Sequence, residues 1–361
     1  MEVIDIKHNI ETLCDRLTGL QDCLYSSALT AESQKLQQLA AQPESGNSTN
    51  TVERILQELD ALQSYQAKLN QCQTILADAT AALELLEFQA DEELEQELQT
   101  NLAQLNCYLE ECELEQSLSG SCDKNGAYLI INAAIDDLDA RDWAEMLLRM
   151  YARWGENRGY KVECVEYSPS AYIGINSATL EIDGRYAYGY LKSETGMHLL
   201  KRKSPFNITR KLRTPTTLEV LPMYVQLEIP QQDLEIILPP RNLNCNATKA
   251  WVKIVHIPTG ISATCDGCRS QMQNKDKALA VLTSKLFAIM QRQGVQQLAD
   301  IQVDRLKTVL NQPIREYQFA SDSPNQGRVL DLRTGIETTA VAEVLDGKLD
   351  SFIKAGVLLQ N

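Results

Sequence analysis

The hydrophobic period of this chain changes once, and that change limits the folds open to it. Val3, Ile6, Ile10, Leu13, Leu17, Leu20 and Leu24 alternate steps of three and four, the seam of a helix packed on another helix. Polar turn-formers follow at 42–50, punctuated by Pro43 and Gly46, and read as a loop. Helical spacing resumes at Val52, Ile55, Leu59 and Leu62, passes through Leu69, Ile75 and Leu83, and returns in Leu94, Leu98, Leu105 and Leu109. From Ala127 onward strand-like runs take over, and 361 residues leave room for two or three domains with their own cores. Helices segregated ahead of mixed helix and sheet make the fold class α+β.

Between the two regimes, Ser117 to Gly126 reads as a linker of small and polar residues. Strands are expected at 127–132, 160–166, 177–182, 187–191, 218–227, 251–257 and 315–319, with Gly184 turning the chain before 187–191. A helix spans 139–159 with Trp143, Met146, Leu147, Met150, Tyr151 and Trp154 on one face, a spacing that marks core. Another runs from 275 to 293, and a helix of small and apolar residues closes the chain. The expected divisions are an acidic helical domain 1–117, a β-rich central domain 118–230 that packs with 300–361, an αβ domain 231–299, and the C-terminal segment 300–361.

The net charge of −15 is unevenly spread. Residues 1–117 hold 22 acids against 5 bases, which leaves 27 acids and 29 bases in 118–361. Leu199 to Arg213 contains Lys201, Arg202, Lys203, Arg210, Lys211 and Arg213 and no carboxylate, a phosphate-facing patch in an otherwise near-neutral region. No apolar run reaches the roughly eighteen residues of a membrane span, and acids begin at the second residue. The expectation is a cytoplasmic protein, organellar only if a leader has been removed. Ten scattered cysteines lack the regular framework of a secreted scaffold.

Three stretches together resemble bacterial-type class I peptide chain release factors of the branch that reads UAA and UGA. The first joins Asp142-Trp-Ala-Glu-Met-Leu-Leu-Arg-Met-Tyr151 to Gly184-Arg-Tyr-Ala-Tyr-Gly-Tyr-Leu191. The second is Gly196-Met-His198 leading into Lys203-Ser-Pro-Phe206, and the third joins His256-Ile-Pro-Thr-Gly260 to Arg269-Ser-Gln271 and Asn274-Lys-Asp276. Asp331-Leu-Arg-Thr-Gly335 and Val344 to Asp350 extend the likeness. The resemblance implies the release-factor architecture and assigns codon reading to Ser204, Pro205 and Phe206, with Thr214 in a supporting role. A short hydroxyl can bond a base edge while a proline stiffens the turn that presents it to single-stranded RNA. Read without the resemblance, the same tripeptide is a surface turn between strands. The tract Arg210-Lys-Leu-Arg-Thr-Pro-Thr-Thr217 lacks the family's histidine.

The family's catalytic loop needs two consecutive glycines and a glutamine, so that the backbone can press on the transfer-RNA end and donate to the attacked ester. Here no glycine lies between Asp233 and Asn246, and the stretch reads Pro239, Pro240, Arg241, Asn242, Leu243, Asn244, Cys245. The family's glycine-rich turn before the 139–159 helix is likewise altered, to Ala133-Ala-Ile-Asp-Asp137. The reading that follows is a release-factor-like protein, not an enzyme, that binds RNA or the ribosome as a monomer without cofactor or metal and regulates translation or RNA stability. Two alternatives stand beside it: a working release factor for UAA and UGA, and a protein-interaction module with no RNA role.

Cys265-Asp-Gly-Cys268 is the one Cys-x-x-Cys in the chain. It reads as a metal knuckle or redox pair, or as a strand turn carrying two incidental thiols. His198 and His256 fall on family-like motifs and are expected to make structural hydrogen bonds.

Overall fold

The computed structural model describes residues 3–24, 49–88, 91–206, 211–239, 250–302, 312–320 and 323–360, so the expected loop at 42–50 lies largely outside the described residues. The chain divides into two units, Met1–Ser117 and Leu118–Asn361.

The first unit is built from α1 (Val3–Leu24), α2 (Thr49–Phe88) and α3 (Glu92–Ser117). The seam buries Ile6, Ile10, Leu13, Leu17 and Leu20 against Leu69, Cys72, Ala79 and Leu83 of α2 and against Leu98, Leu102, Leu105, Leu109 and Cys112 of α3. Asp91 starts α3 by accepting from the backbone N–H groups of Glu93 (3.0 Å) and Leu94 (3.2 Å), which satisfies donors the helix itself leaves open. Arg16 ties α1 to α3 through a two-pronged bond to Glu113 at 2.7 and 2.9 Å.

The second unit follows in the order β1 (Ala127–Ala133), α4 (Leu138–Asn157), β2 (Lys161–Pro169), β3 (Ile175–Asp183), α5 (Ala187–Leu191), β4 (Gly196–Lys203), β5 (Lys211–Pro222), β6 (Leu234–Ile237), β7 (Val252–His256), β8 (Ile261–Cys265), α6 (Gln271–Gln293), β9 (Pro313–Ala320), β10 (Ser323–Asp331), β11 (Glu337–Thr338), α7 (Val341–Leu345) and α8 (Asp350–Gln360). Eight strands form one sheet in the order β11-β10-β9-β4-β5-β1-β3-β2, and β6-β7-β8 form a second. Neighbours in the large sheet are antiparallel except β4 and β9, which run parallel. That one parallel pairing joins the C-terminal strands β9, β10 and β11 to the sheet as one of its edges.

Both faces of β1 are covered, which is why it is apolar without alternation. Tyr128 and Ile130 join a core made with Val252, Ile254, Ala263, Ala278, Val281, Leu282 and Leu286 of the small sheet and α6. Leu129 and Ile131 point to the opposite face, the side of α4, whose Trp143, Leu147, Met150, Tyr151 and Trp154 are all buried. The whole is α+β, as the change of period implies.

Three local readings are corrected. Residues 187–191 form a helix where a strand is expected; Tyr186 enters it in the left-handed conformation (φ 62°), and a five-residue apolar run has no periodicity to separate helix from strand. The strand expected at 218–227 instead occupies 211–222. Residues 118–126 are a packed corner of the second unit and not a free linker: Leu118 and Asp123 are buried, Asp123 accepts from Gly120 N at 2.9 Å, and Lys192 Nζ pairs with it at 2.7 Å.

Candidate functional site

β4 and β5 pair from Gly196 opposite Leu218 to Lys203 opposite Lys211. The pairing of β1 with β5 ends at Ala133 opposite Thr216, so among the described residues β5 has β4 as its one strand neighbour from Pro215 back to Lys211. Pro215 has no N–H to offer a second neighbour, and an open flank is where a strand tolerates it. The turn carrying Ser204, Pro205 and Phe206 leaves the sheet at this end.

The root of that turn is fixed by a buried carboxylate. Ser204 Oγ donates to Asp139 Oδ2 at 2.6 Å and accepts from Phe206 N at 3.1 Å. The other oxygen of Asp139 accepts from Arg202 Nη2 at 2.9 Å, and Asp142 takes the same guanidinium at 2.7 Å. Asp139 stands in the first turn of α4, where the helix dipole also favours negative charge. The Arg202 guanidinium lies 6.0 Å from the Phe206 ring centroid.

The expected RNA-facing residues therefore divide. Pro205, Phe206 and Lys203 are exposed, and among the described residues Lys203 has no carboxylate partner. Arg213 is 59% exposed by its side chain, with Glu316 3.6 Å away. Lys201 pairs closely with Glu316. Arg202, Ser204 and Thr214 are turned inward: Arg202 and Ser204 bind Asp139, and Thr214 is buried opposite Leu200. Their side chains bond or pack within the fold. Arg210 and the side chain of Lys211 lie outside the described residues.

Under β4 sits a charged core. Arg315 Nη1 and Nη2 donate to the two oxygens of Glu194 at 2.6 and 2.7 Å, and Nη2 also donates to Asp331 at 3.1 Å. All three side chains are fully buried. Tyr151 donates its hydroxyl to Glu194 at 2.7 Å, and Arg333 pairs with Asp331 at 2.9 Å. Burial pushes the Glu194 carboxyl up, and the Arg315 guanidinium outweighs it, so Glu194 stays below the usual carboxylate range. Asp331 falls to about 2 because Arg333 and Arg315 outweigh its burial. His198, fully buried, is pushed down to about 4 by desolvation and is neutral; its ring nitrogens meet Tyr317 Oη at 3.3 Å and the Glu194 carbonyl at 3.2 Å. Trp143 Nε1 donates to the His198 carbonyl at 3.1 Å, which locks α4 to β4.

The stretch expected to hold the catalytic loop, residues 240–249, lies outside the described residues, and with it Pro240, Arg241, Asn242, Leu243, Asn244 and Cys245. Its two supports are described. β6 pairs in full with β7, from Leu234 opposite His256 to Ile237 opposite Lys253, and Pro239 is half-buried at the exit. His256 Nδ1 meets Thr259 Oγ1 at 2.8 Å. The Cys-x-x-Cys turn is organised by the buried Asn274, which accepts from Cys265 Sγ (3.2 Å) and Cys268 N (2.9 Å) and donates to the carbonyls of Ala250 (2.7 Å) and Cys268 (2.9 Å). Burial pushes the Cys265 thiol up to about 11, the opposite of an activated thiolate, and among the described residues no cluster of metal-ligating side chains occurs. Asp139 and Asn274 are the organising residues that sequence reasoning missed.

This architecture, a helical bundle followed by a unit whose large sheet carries a serine-proline-phenylalanine turn, matches that of a solved release factor. Residues 29–218 match the PCRF domain and residues 242–333 the RF-1 domain. The chain belongs to the bacterial-type class I peptide chain release factor family, in the release factor 2 branch. Among its relatives, "Peptide chain release factor PrfB1, chloroplastic" of Arabidopsis thaliana is 37% identical over 97% of this chain and 78% of its own length. "Peptide chain release factor 2" of Chloroflexus aggregans is 35% identical over 97% of both. Among solved structures, RF2 of Thermus thermophilus superposes with a TM-score of 0.64 at 29% identity, covering 95% of this chain and 99% of that one.

These matches overturn the reading of the chain as a non-enzymatic relative that serves as a regulator. Proteins aligned with it nearly end to end are named peptide chain release factor 2, which favours the alternative of a working release factor. The overturned reading rested on the composition of one loop, without the conformation of residues 240–249, and the strands that carry this loop are intact. Among the described residues, no helix is long and apolar enough to cross a membrane.

Proposed function

We propose that this chain is a peptide chain release factor that acts in translation termination on a bacterial-type ribosome and reads UAA and UGA. The observation that carries the reading is the alignment over 97% of the chain with proteins named for that function. The 204–206 turn supports it: Pro205 and Phe206 stand exposed on a root fixed by Asp139. A preset turn spends little of its binding energy on ordering itself. Lys203 and Arg213 beside it supply charge for RNA phosphates, and such contacts weaken as salt rises. The compartment is the one that holds such ribosomes, the cytoplasm of a bacterium or the interior of an organelle.

Pelleting with ribosomes stalled on UGA, UAA, UAG or a sense codon tests the codon reading. Retention on UGA and UAA above the other two is expected, and retention that ignores the codon contradicts it.

A further inference from the structure

The end of the large sheet that carries the 204–206 turn also carries the β2–β3 connection. β1 ends there with Ala133 opposite Thr216, and β3 begins there, with Ile175 opposite Pro169 at the end of β2. This connection, 170–174, is tightly built. Ser170 N donates to Gly174 O at 3.0 Å, and Tyr172 N donates to Ser170 Oγ at 3.4 Å. Gly174 has φ 73°, and a side chain there would lie 2.2 Å from the Arg141 carbonyl carbon and oxygen. The tip is thus pressed on the start of α4, the same helix end that holds Ser204.

What this anchored tip presents is apolar. Tyr172 is 84% exposed and Ile173 40%, and Ile135, in the loop after β1, is 45% exposed. A lone exposed apolar residue is unremarkable in meaning. Three of them, one an aromatic ring on a tightly bonded turn, lie at the end of the sheet that carries Pro205 and Phe206. From β4, which leads into the 204–206 turn, to β3 is three strand spacings, about 14 Å at ~4.8 Å each. About four stacked bases at ~3.4 Å each, a triplet and its neighbour, cover the same distance.

We propose that Tyr172 is a stacking platform for an unpaired RNA base adjacent to the triplet that the 204–206 turn reads. The inference rests on the codon-reading function above. The loop after β1 also carries Asp136, paired with Arg141, and the half-buried Asp137, negative charge at this end of the sheet that disfavours phosphate, so the contact falls on the flat face of a base. Base stacking on an aromatic ring is tolerant of base identity and is strong enough, at about 1–3 kcal/mol per base, to register as affinity. The base comes from the message or from ribosomal RNA.

A photoreactive phenylalanine analogue placed at position 172, and separately at position 206, tests this in the full chain bound to UGA-programmed ribosomes. RNA crosslinks from both positions are expected, and mapping the nucleotide tells message from ribosomal RNA. RNA crosslinks at 206 with protein crosslinks only at 172 overturn the Tyr172 assignment and leave the codon reading standing. RNA crosslinks at neither position overturn both. As a second measure, Tyr172→Ala is expected to weaken ribosome binding about tenfold, and Tyr172→Phe, which keeps the ring, about twofold or less. Equal binding by wild type and Tyr172→Ala overturns the proposal.

Discussion

Replacing Arg315 by methionine would remove the cation that neutralises two carboxylates in the core of the second unit. Arg315 makes two hydrogen bonds to Glu194 and one to Asp331, at 2.6, 2.7 and 3.1 Å, with no solvent access to any of the three side chains. In Arg315→Met, Asp331 keeps Arg333 at 2.9 Å, whereas Glu194 is left with Tyr151 and an Arg333 nitrogen 3.8 Å away. Methionine still covers the Phe352 ring that Arg315 now stacks on at 4.5 Å. The loss is therefore electrostatic, and stranding one partner of a buried pair costs about 3–5 kcal/mol. Urea unfolding followed by tryptophan fluorescence reads it cleanly, because Trp143, Trp154 and Trp251 all lie in residues 118–361. Adding Glu194→Gln to Arg315→Met removes the stranded charge and restores at least half of the loss. A single variant that loses less than about 1 kcal/mol, or a double variant no more stable than the single, refutes the reasoning.

Other outcomes follow from the same structure. His198 is held at about 4, below its ordinary value of 6.5, so the unfolded chain binds a proton that the folded chain refuses. Stability is then fully present above about pH 6.5 and declines as pH falls toward 4, by up to roughly 3 kcal/mol; His198→Gln flattens urea midpoints across that window, and an unchanged slope contradicts it. Asn274→Ala leaves Cys268 N–H and the Ala250 carbonyl without their partner and costs about 1–3 kcal/mol, measurable by urea unfolding, with a loss near zero speaking against Asn274 as the organiser of the turn. Trp143→Ala empties a fully buried site between α4 and β4 and costs about 3–5 kcal/mol, and a melting temperature within a degree of wild type contradicts that placement.

Much of the fold is legible before any coordinates. The seam of α1 shows because a three-four spacing has one geometric meaning, and the α4 stripe shows because its large residues sit at helical spacing. The helix at 187–191 is hidden because five apolar residues carry no period, and its left-handed entry at Tyr186 depends on packing. The first half of β5 is hidden because Lys211 to Thr217 has the composition of an exposed loop, and the partner that makes it a strand is β4.

The site is less legible than the fold. The 204–206 turn can be found by its residues, but the inward direction of Arg202, Ser204 and Thr214 cannot, since Asp139 lies 65 residues away from Ser204. A carboxylate in a first helical turn looks the same in sequence whether it meets water or a buried hydroxyl. The missing glycines in 233–246 invited a conclusion about activity from composition alone, and the near full-length matches to proteins named peptide chain release factor 2 point the other way.

Peptide release from ribosomes stalled on UGA with a labelled peptidyl-tRNA addresses the central claim most directly. The account predicts factor-dependent release at UGA and UAA, lost at UAG and weakened by Phe206→Ala. No release above the factor-free background at either codon would contradict it.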